Sequence, residues 1–376
     1  MTGEIELIKR APTEELLTEE RILEHISSGK RFRHYIGFEI SGFVHLGGVI
    51  SMQKVADFQE AGAETNVFLA DYHTWINKKL GGDLTDIRRI GGTYFKESLK
   101  RSLEAVGGDS EKLNFVMGSE LYAKLGSEYL EDVIKVSKGI SLARAKRSIT
   151  IAGRGEGESV SLAQLLYVPM QVADIYSQKV TLAHAGMDQR KAHVVALDVS
   201  NEFEYKPVAV HHHLLTGIHI SEGQRASIIA AKKDKDKDQL NQQLIDVKMS
   251  KSKPESAVFI HDTEAAIRKK IGSAFCPIKE TEINPIIDIS KNIVLPYLAR
   301  KGMDFEIENK KSKETGSYKG YEELVRAYQN GEIHPVDIKE AVAGYLVEMF
   351  APARKYFIDG PGKKYLEDLE SIKITR

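Results

Sequence analysis

Short apolar runs alternate along this chain with longer segments in which apolar residues return at helical spacing. Runs at 35–38, 66–70, 114–117, 180–185 and 208–210 have the length of buried strands. Segments 49–61, 84–106, 129–152 and 189–203 carry the three-to-four-residue repeat of helices. Strand and helix in alternation predict an α/β fold, a Rossmann-like parallel sheet with helices on both faces. Ligands of such sheets sit beyond the carboxyl ends of the strands, which places His45, Asp71, Glu120 and Gly186 beside the expected site.

The flanks read differently. Residues 12–30 carry a helical signal, with Thr18 ahead of two glutamates and Ile22, Leu23 and Ile26 in helical register. We therefore expect an N-terminal appendage over 1–30, packed on a catalytic unit of 31–220. The alternation breaks near Gly217, and 221–244 includes the run Lys232-Lys233-Asp234-Lys235-Asp236-Lys237-Asp238. Alternating charge of that kind predicts an exposed insertion that buries no core, within a linker spanning 221–260. Beyond Pro254 the pattern turns helical. Asp262 is placed to cap a helix to about residue 275, a second at 321–330 ends at Gly331, and a third from Pro335 puts Val342, Leu346 and Met349 on one stripe. These make a smaller α-helical unit over 261–376.

Composition narrows the class. The 376 residues are 42% hydrophobic and 28% charged, which suits a soluble globular protein of two or three domains. No apolar run nears the ~18 to 20 residues of a membrane span, and the opening Met-Thr-Gly-Glu-Ile-Glu lacks a basic-then-apolar signal. A cytoplasmic protein is expected. Cys276 is the single cysteine, so there is neither an internal disulfide nor a cysteine-based zinc site. The formal net charge of -1 does not announce a nucleic-acid binder. Any such surface must come from local patches, with Arg144, Lys146, Arg147 and Arg154, then Arg190 and Lys191, then Arg300 and Lys301 as candidates; otherwise these are exposed helix faces. His211-His212-His213 does not read as a metal site, because successive strand residues face opposite sides; the run is expected to border the active site.

Three stretches carry candidate chemistry. Asp246-Val247-Lys248-Met249-Ser250-Lys251-Ser252-Lys253-Pro254 is a basic loop loosened by serines and stopped by proline. Tyr35-Ile36-Gly37-Phe38-Glu39-Ile40-Ser41-Gly42-Phe43-Val44-His45-Leu46-Gly47-Gly48 reads as strand, turn and helix start, offering free backbone N–H groups and a positive helix end to an anion. In Tyr167-Val168-Pro169-Met170-Gln171-Val172-Ala173-Asp174, Pro169 suits a first helical turn and Gln171 and Asp174 fall on one face, with Tyr167 directed the same way. A phenol, an amide and a carboxylate within an apolar run need polar partners, either one another or a ligand.

In this order the first two stretches resemble the His-x-Gly-His and Lys-Met-Ser-Lys-Ser signatures of class I aminoacyl-tRNA synthetases. With Leu-Ala-Asp-x-His at 69–73, Met-Gln-Val-x-Asp at 170–174 and Gly-Met-Asp-Gln-Arg-Lys at 186–191, nearly the whole chain is similar to tyrosyl-tRNA synthetases of the archaeal and eukaryotic type. That resemblance implies a Rossmann-like catalytic domain followed by a helical anticodon-binding domain. It implies that Tyr35 and Asp174 bind the phenolic hydroxyl of L-tyrosine, while Tyr167, Gln171 and Gln189 hold its α-ammonium group. ATP, carrying Mg2+, would lie against Gly37, His45, Gly47, Gly48, Gly186 and Asp188, with Asp188 near the ribose. Lys248 and Lys251 would close on the β- and γ-phosphates, so His45, Gly47, Lys248 and Lys251 are the catalytic candidates. For tRNA(Tyr), Arg144, Arg147 and Arg190 would face the acceptor stem, and His334-Pro335-Val336-Asp337 matches the segment whose aspartate meets the first anticodon base. A homodimer without an editing domain is implied. The chain departs from the signature at Gly48, where the second histidine would stand. The tryptophanyl enzymes are the nearest alternative, disfavoured by the Tyr35/Asp174 pair. A small-molecule nucleotidyltransferase and an inactive RNA-binding module are more remote.

Overall fold

The computed structural model describes residues 2–148, 161–234, 237–249 and 254–372. Its centre is a six-stranded sheet in the order β1-β6-β5-β2-β3-β4, with β1 Thr13–Leu17, β2 His34–Phe38, β3 Thr65–Leu69, β4 Leu113–Met117, β5 Leu182–Gly186 and β6 Val208–His212. All neighbours are parallel except β1, which runs antiparallel to β6. Strands β3, β5 and β6 are buried throughout, which is why they show no alternation with exposed polar positions, although His184, His211 and His212 are among the buried residues. From β2 the chain builds outward to β3 and β4, and later fills the other side with β5 and β6. The order therefore reverses between β2 and β5, and a crevice opens there at the carboxyl ends.

The helix expected within 12–30 forms as Glu20–Ser27, but Thr13–Leu17 ahead of it is strand, and the reading of an appendage is corrected. Helices Thr2–Lys9 and Glu20–Ser27 flank β1, so this segment supplies an edge strand of the sheet. The helix expected at 84–106 is interrupted by a π turn at Gly91–Phe95, and that at 129–152 breaks between Ser127–Lys138 and Leu142–Ser148. The charged insertion is corrected too. It holds helices Glu222–Lys233 and Lys237–Val247, the first opened by a Ser221/Gln224 capping box. Ile228 and Ala231 are buried, and Arg225 reaches Glu280 Oε2 at 2.9 Å. The charged run itself is exposed at Lys232, Lys233 and Asp234, as expected, and its Lys235 and Asp236 lie outside the described residues.

The C-terminal part is helical as expected, but adds a hairpin of β7 Phe305–Glu308 and β8 Thr315–Tyr318. Thr263, not Asp262, caps the helix Glu264–Ser273; Asp262 instead accepts from Phe259 N at 2.8 Å and Lys270 Nζ at 2.7 Å. Gly331 ends Tyr321–Asn330 at φ 82°. Val342, Leu346 and Met349 of Pro335–Arg354 are buried, and this helix packs against Lys96–Ala105. One apolar core runs on from the β2 and β3 side into these helices.

A buried carboxylate ties the three regions together. Asp57 accepts from Arg10 Nε and Nη2 at 2.9 and 2.5 Å, from Lys54 Nζ at 3.1 Å, and from Arg300. Lys54 is wholly buried, which pulls its pKa down to about 8 against the opposing pull of Asp57. Asp57→Ala strands that charge, and is expected to lower the unfolding free energy by about 3–5 kcal/mol, measured as a lower urea midpoint.

Candidate active site

Two segments far apart in sequence are joined at the carboxyl end of the sheet. Leu46 N donates to Val258 O (3.0 Å) and Ile260 N to Val44 O (3.3 Å), fixing the start of helix Leu46–Glu60 beside the segment that follows the lysine loop. Gly217 N donates to Val247 O and Met249 N to Leu215 O, both at 2.8 Å, holding the beginning of that loop. Lys248 Nζ thereby reaches Asp188 Oδ2 at 2.5 Å, in the turn just past β5. Burial pushes the Asp188 carboxyl up, but the Lys248 ammonium outweighs it and keeps the group below its ordinary range. Lys251 lies outside the described residues.

At the helix start the expectation of free N–H groups is corrected. His45 is the N-cap and its Nδ1 accepts from Gly47 N at 2.9 Å, while Gly48 N donates to His45 O at 2.7 Å. A polar side chain at this position satisfies donors that the helix itself cannot. Close approach accounts for the glycines. A Cβ on Gly47 would stand 2.5 Å from His45 Cε1, and one on Gly48 2.7 Å from Val44 Cγ1. A histidine at 48 would have to displace Val44. Likewise a Cβ on Gly37 would meet the Tyr35 hydroxyl at 2.6 Å, and one on Gly186 would meet Asp188 Oδ1 at 2.7 Å.

The helix Tyr167–Ser177 lines the other half of the crevice and presents Tyr167, Gln171 and Asp174 on one face. Asp174 is fully buried. Its Oδ1 accepts from both Tyr122 and Tyr129 hydroxyls, each at 2.9 Å, and Oδ2 has no hydrogen-bond partner among the described residues. Burial, aided by the nearby Asp71 charge and opposed by the two phenol donors, raises its pKa to about 8. His73 Nε2 lies 3.8 Å from that open oxygen, neither of its ring nitrogens is hydrogen-bonded to a described residue, and burial lowers its pKa to about 4. Burial thus favours the uncharged form of both groups, and a phenol that donates to Oδ2 has to draw on the ionised carboxylate. Burial and then the Asp174 charge push the Tyr35 hydroxyl well above its usual range, so it stays protonated.

One turn back along the helix, Gln171 Nε2 donates to Gln189 Oε1 at 3.2 Å and leaves Gln171 Oε1 buried without a partner among the described residues. The Tyr167 hydroxyl donates to Glu39 Oε1 at 2.9 Å, and Asn77 donates to the same oxygen. The pocket thus has a phenol-lined end with one open carboxylate oxygen, and an end of amide and carboxylate acceptors. Sequence reasoning found five of these residues and missed Glu39, His73, Tyr122 and Tyr129. Glu39 and His73 stood inside quoted motifs, just beyond strand ends, and that position was their one available signal.

The remaining nominated residues lie elsewhere. Arg144 pairs with Asp198 at 2.5 Å and Arg190 with Glu15 at 2.7 Å, while Arg147 is exposed. His334 caps Pro335–Arg354 through Val336 N at 3.2 Å, freeing the buried Asp337 from capping. Asp337 accepts from Lys310 N at 3.3 Å and lines a groove of about 450 Å³ with Arg268, Lys310, Glu340 and Tyr345. Strand alternation sets His212 apart: it meets Ser51, whereas His211, and His213 just past the strand, meet Glu15 and Glu14 of β1.

A parallel sheet with its crevice at the switch point, a histidine-capped glycine helix on one side and a lysine loop on the other define a class I synthetase core. The family model described as tRNA synthetases class I (W and Y) matches residues 27–351, and the chain belongs to that family. Within it the chain stands with the archaeal tyrosyl enzymes. It is 47% identical to the tyrosine--tRNA ligase of Thermococcus gammatolerans, over 99% of this chain and 98% of that one. The solved tyrosyl-tRNA synthetase of Pyrococcus horikoshii, complexed with L-tyrosine, is 43% identical and superposes with a TM-score of 0.89 over 98% of this chain and 99% of its own. That of Aeropyrum pernix is 36% identical, with a TM-score of 0.80 and the same coverage.

Proposed function

We infer that this chain is the ligase that joins L-tyrosine to tRNA(Tyr), activating the amino acid with ATP to tyrosyl-adenylate and pyrophosphate and then passing it to the terminal ribose. The observation that carries the reading is the buried Asp174, with two phenols on one oxygen and no hydrogen-bond partner on the other among the described residues. A substrate phenol donates to that oxygen; phenylalanine leaves it unpaired. Rejection of this kind is best known from a tyrosyl-tRNA synthetase itself, so its direction carries over and its size is no independent result. Tyr35 lies beside the same hydroxyl. The α-ammonium group of tyrosine donates to Gln171 Oε1 and falls near Glu39, Tyr167 and Gln189. Pyrophosphate exchange with each of the twenty amino acids tests the assignment: tyrosine alone should drive it, and exchange driven by tryptophan or by none overturns it.

The first step needs no enzyme nucleophile. The tyrosine carboxylate attacks the α-phosphate in line, and the protein contributes alignment and positive charge where negative charge builds up. ATP, with the Mg2+ it carries as part of the substrate, lies along Gly37, His45, Gly47, Gly48 and Gly186. Asp188 takes the ribose hydroxyls once Lys248 leaves it for the departing pyrophosphate, with Lys251 as its partner in that role.

Asp337 and its groove are assigned to the first anticodon base, and Arg144, Arg147 and Arg190 to the acceptor stem. Asp337→Ala is expected to raise the KM for tRNA by about tenfold, the worth of one charged hydrogen bond, with pyrophosphate exchange unchanged. For a homodimer the support is an exposed apolar set after β4: Leu130 and Ile134 one turn apart, with Leu142, Leu162 and Leu166. Sedimentation should give a dimer that Ile134→Asp converts to monomer. Among the described residues no helix is long and apolar enough to cross a membrane, and we place the reaction in the cytoplasm, with translation.

A further inference from the structure

The histidine run leaves one member unexplained, and its position is unusual. His212 lies at the carboxyl end of β6, opposite Gly186 of β5; His184 lies opposite Val210; and His34 of β2 lies opposite Leu182. Each histidine is thus two residues further along than the one on the neighbouring strand, so all three point to one face on a diagonal across β2, β5 and β6. His34 Nε2 is 3.2 Å from His184 Nδ1, His184 Nε2 is 2.8 Å from His212 Nδ1, and His212 Nε2 is 3.2 Å from Ser51 Oγ. Ser51 Oγ in turn lies 3.1 Å from Gly47 O. The three rings are buried and kept neutral by that burial, with His34 and His212 both lowered to about 3.

The direction of the chain follows from its ends. Ser51 donates its hydroxyl proton to Gly47 O, so its oxygen accepts from His212 Nε2–H. His212 Nδ1 then accepts from His184 Nε2–H, and His184 Nδ1 from His34 Nε2–H. At the far end, His34 Nδ1 has no hydrogen-bond partner among the described residues. In this sense it is a spare acceptor; reversing every bond would leave a buried N–H there, the rarer defect. The same rings pack on Phe58, whose centroid is 4.9 Å from His34 and 5.2 Å from His184. Helix Leu46–Glu60 therefore rests on the sheet through Phe58 at one end and a hydrogen bond from His212 at the other. Apolar packing resists separation but fixes sliding and rotation poorly, whereas a directional hydrogen bond fixes both.

We propose that His212, backed by His184 and His34, is a positioning residue that sets the register of the nucleotide-seat helix through Ser51 and Gly47 O. This rests on the reading of His45 to Gly48 as the ATP seat. What it adds is a hold on the seat from the sheet side, over Gly186 and Asp188, beside the backbone bonds of Leu46 to Val258 and of Ile260 to Val44. His212 touches no substrate in this arrangement; it acts on ATP through the helix.

The test is tyrosine-dependent pyrophosphate exchange with Ser51→Ala, His212→Ala and His212→Gln. Ser51→Ala and His212→Ala should each raise the KM for ATP about five- to tenfold, with the KM for tyrosine within about twofold of the parent. The double variant should be no worse than the poorer single, because both cut one link. His212→Gln, whose amide can replace the donor to Ser51, should recover most of the loss. An unchanged KM for ATP in both alanine variants, or an equal rise in the KM for tyrosine, overturns the proposal. Ser51→Ala keeps the question decidable if His212→Ala does not fold. Gly47→Ala, run alongside, separates the two readings: if it leaves the KM for ATP unchanged, the seat itself is wrong, and the inference falls with it.

Discussion

Asparagine in place of Asp174 is expected to raise the KM for tyrosine by about 10- to 150-fold and to make the unliganded protein more resistant to unfolding at pH 8. The first effect is the loss of a hydrogen bond to a charged acceptor, about 1.5–3 kcal/mol. The second follows from linkage. Asp174 has a folded pKa of about 8 against an ordinary 3.8, so the proton it holds stabilises the fold fully below pH 3.8, and that contribution is lost as pH rises through 8. The asparagine amide has no such proton to lose and still offers an oxygen to Tyr122 and Tyr129. The difference in urea midpoint between variant and parent should grow from pH 4 to pH 8. Because the phenol donates, tyrosine binds the ionised form. The parent's KM for tyrosine should fall between pH 7 and pH 9, and the profile of the variant should be flat. A parent profile that rises instead would mean that Asp174 binds tyrosine as the acid, with the phenol accepting.

The same residue shows how far the sequence could be read. Gln171 and Asp174 share a helix face, so periodicity alone brought them together. Tyr122 and Tyr129 stand 52 and 45 residues from Asp174, on helices after β4, and no spacing rule connects them to it. Tyr129 takes its role only once the helix Ser127–Lys138 packs on Tyr167–Ser177, and Tyr122 reaches Asp174 from the helix before it, Gly118–Leu125. The parallel strands were legible as short, largely apolar runs, most clearly β3, β5 and β6, where burial on both faces removes the alternation of a half-exposed strand. Strand Thr13–Leu17 was not, since an edge strand reading Thr-Glu-Glu-Leu-Leu carries neither that run nor a clean alternation. The helices at 222–247 were hidden for the opposite reason. Alternating Lys and Asp read as unstructured charge, yet Ser221 and Gln224 form a cap and Ile228 and Ala231 a buried stripe. At the nucleotide corner the motifs pointed to elements that the structure brings together, but not to their resting state. His45 closes its own helix start and Lys248 closes on Asp188, so both candidate catalytic groups are occupied by protein partners before ATP arrives.

That resting pair determines what Lys248→Ala should do. Removing one preorganised donor from a developing phosphate charge slows the chemical step by about 10²- to 10³-fold, and the loss should fall on the rate of adenylate formation in single-turnover experiments. Tyrosine binding should barely change, because Asp174, Gln171 and Tyr35 lie on other elements from the loop. The effect on ATP binding has two opposing parts. Lys248 must give up Asp188, with its 2.5 Å contact, to reach the phosphates, so the parent exchanges one ion pair for another and gains little in the ground state. In the variant Asp188 is already free for the ribose hydroxyls, and its carboxyl should titrate closer to the ordinary range without the ammonium that holds it down. The KM for ATP is therefore expected to move by only a few-fold while the rate falls by orders of magnitude, the pattern of an interaction made in the transition state. A large rise in the KM for ATP with an unchanged rate would place Lys248 on ground-state ATP instead. A matching loss of tyrosine affinity would show that the loop shapes the pocket rather than the reaction.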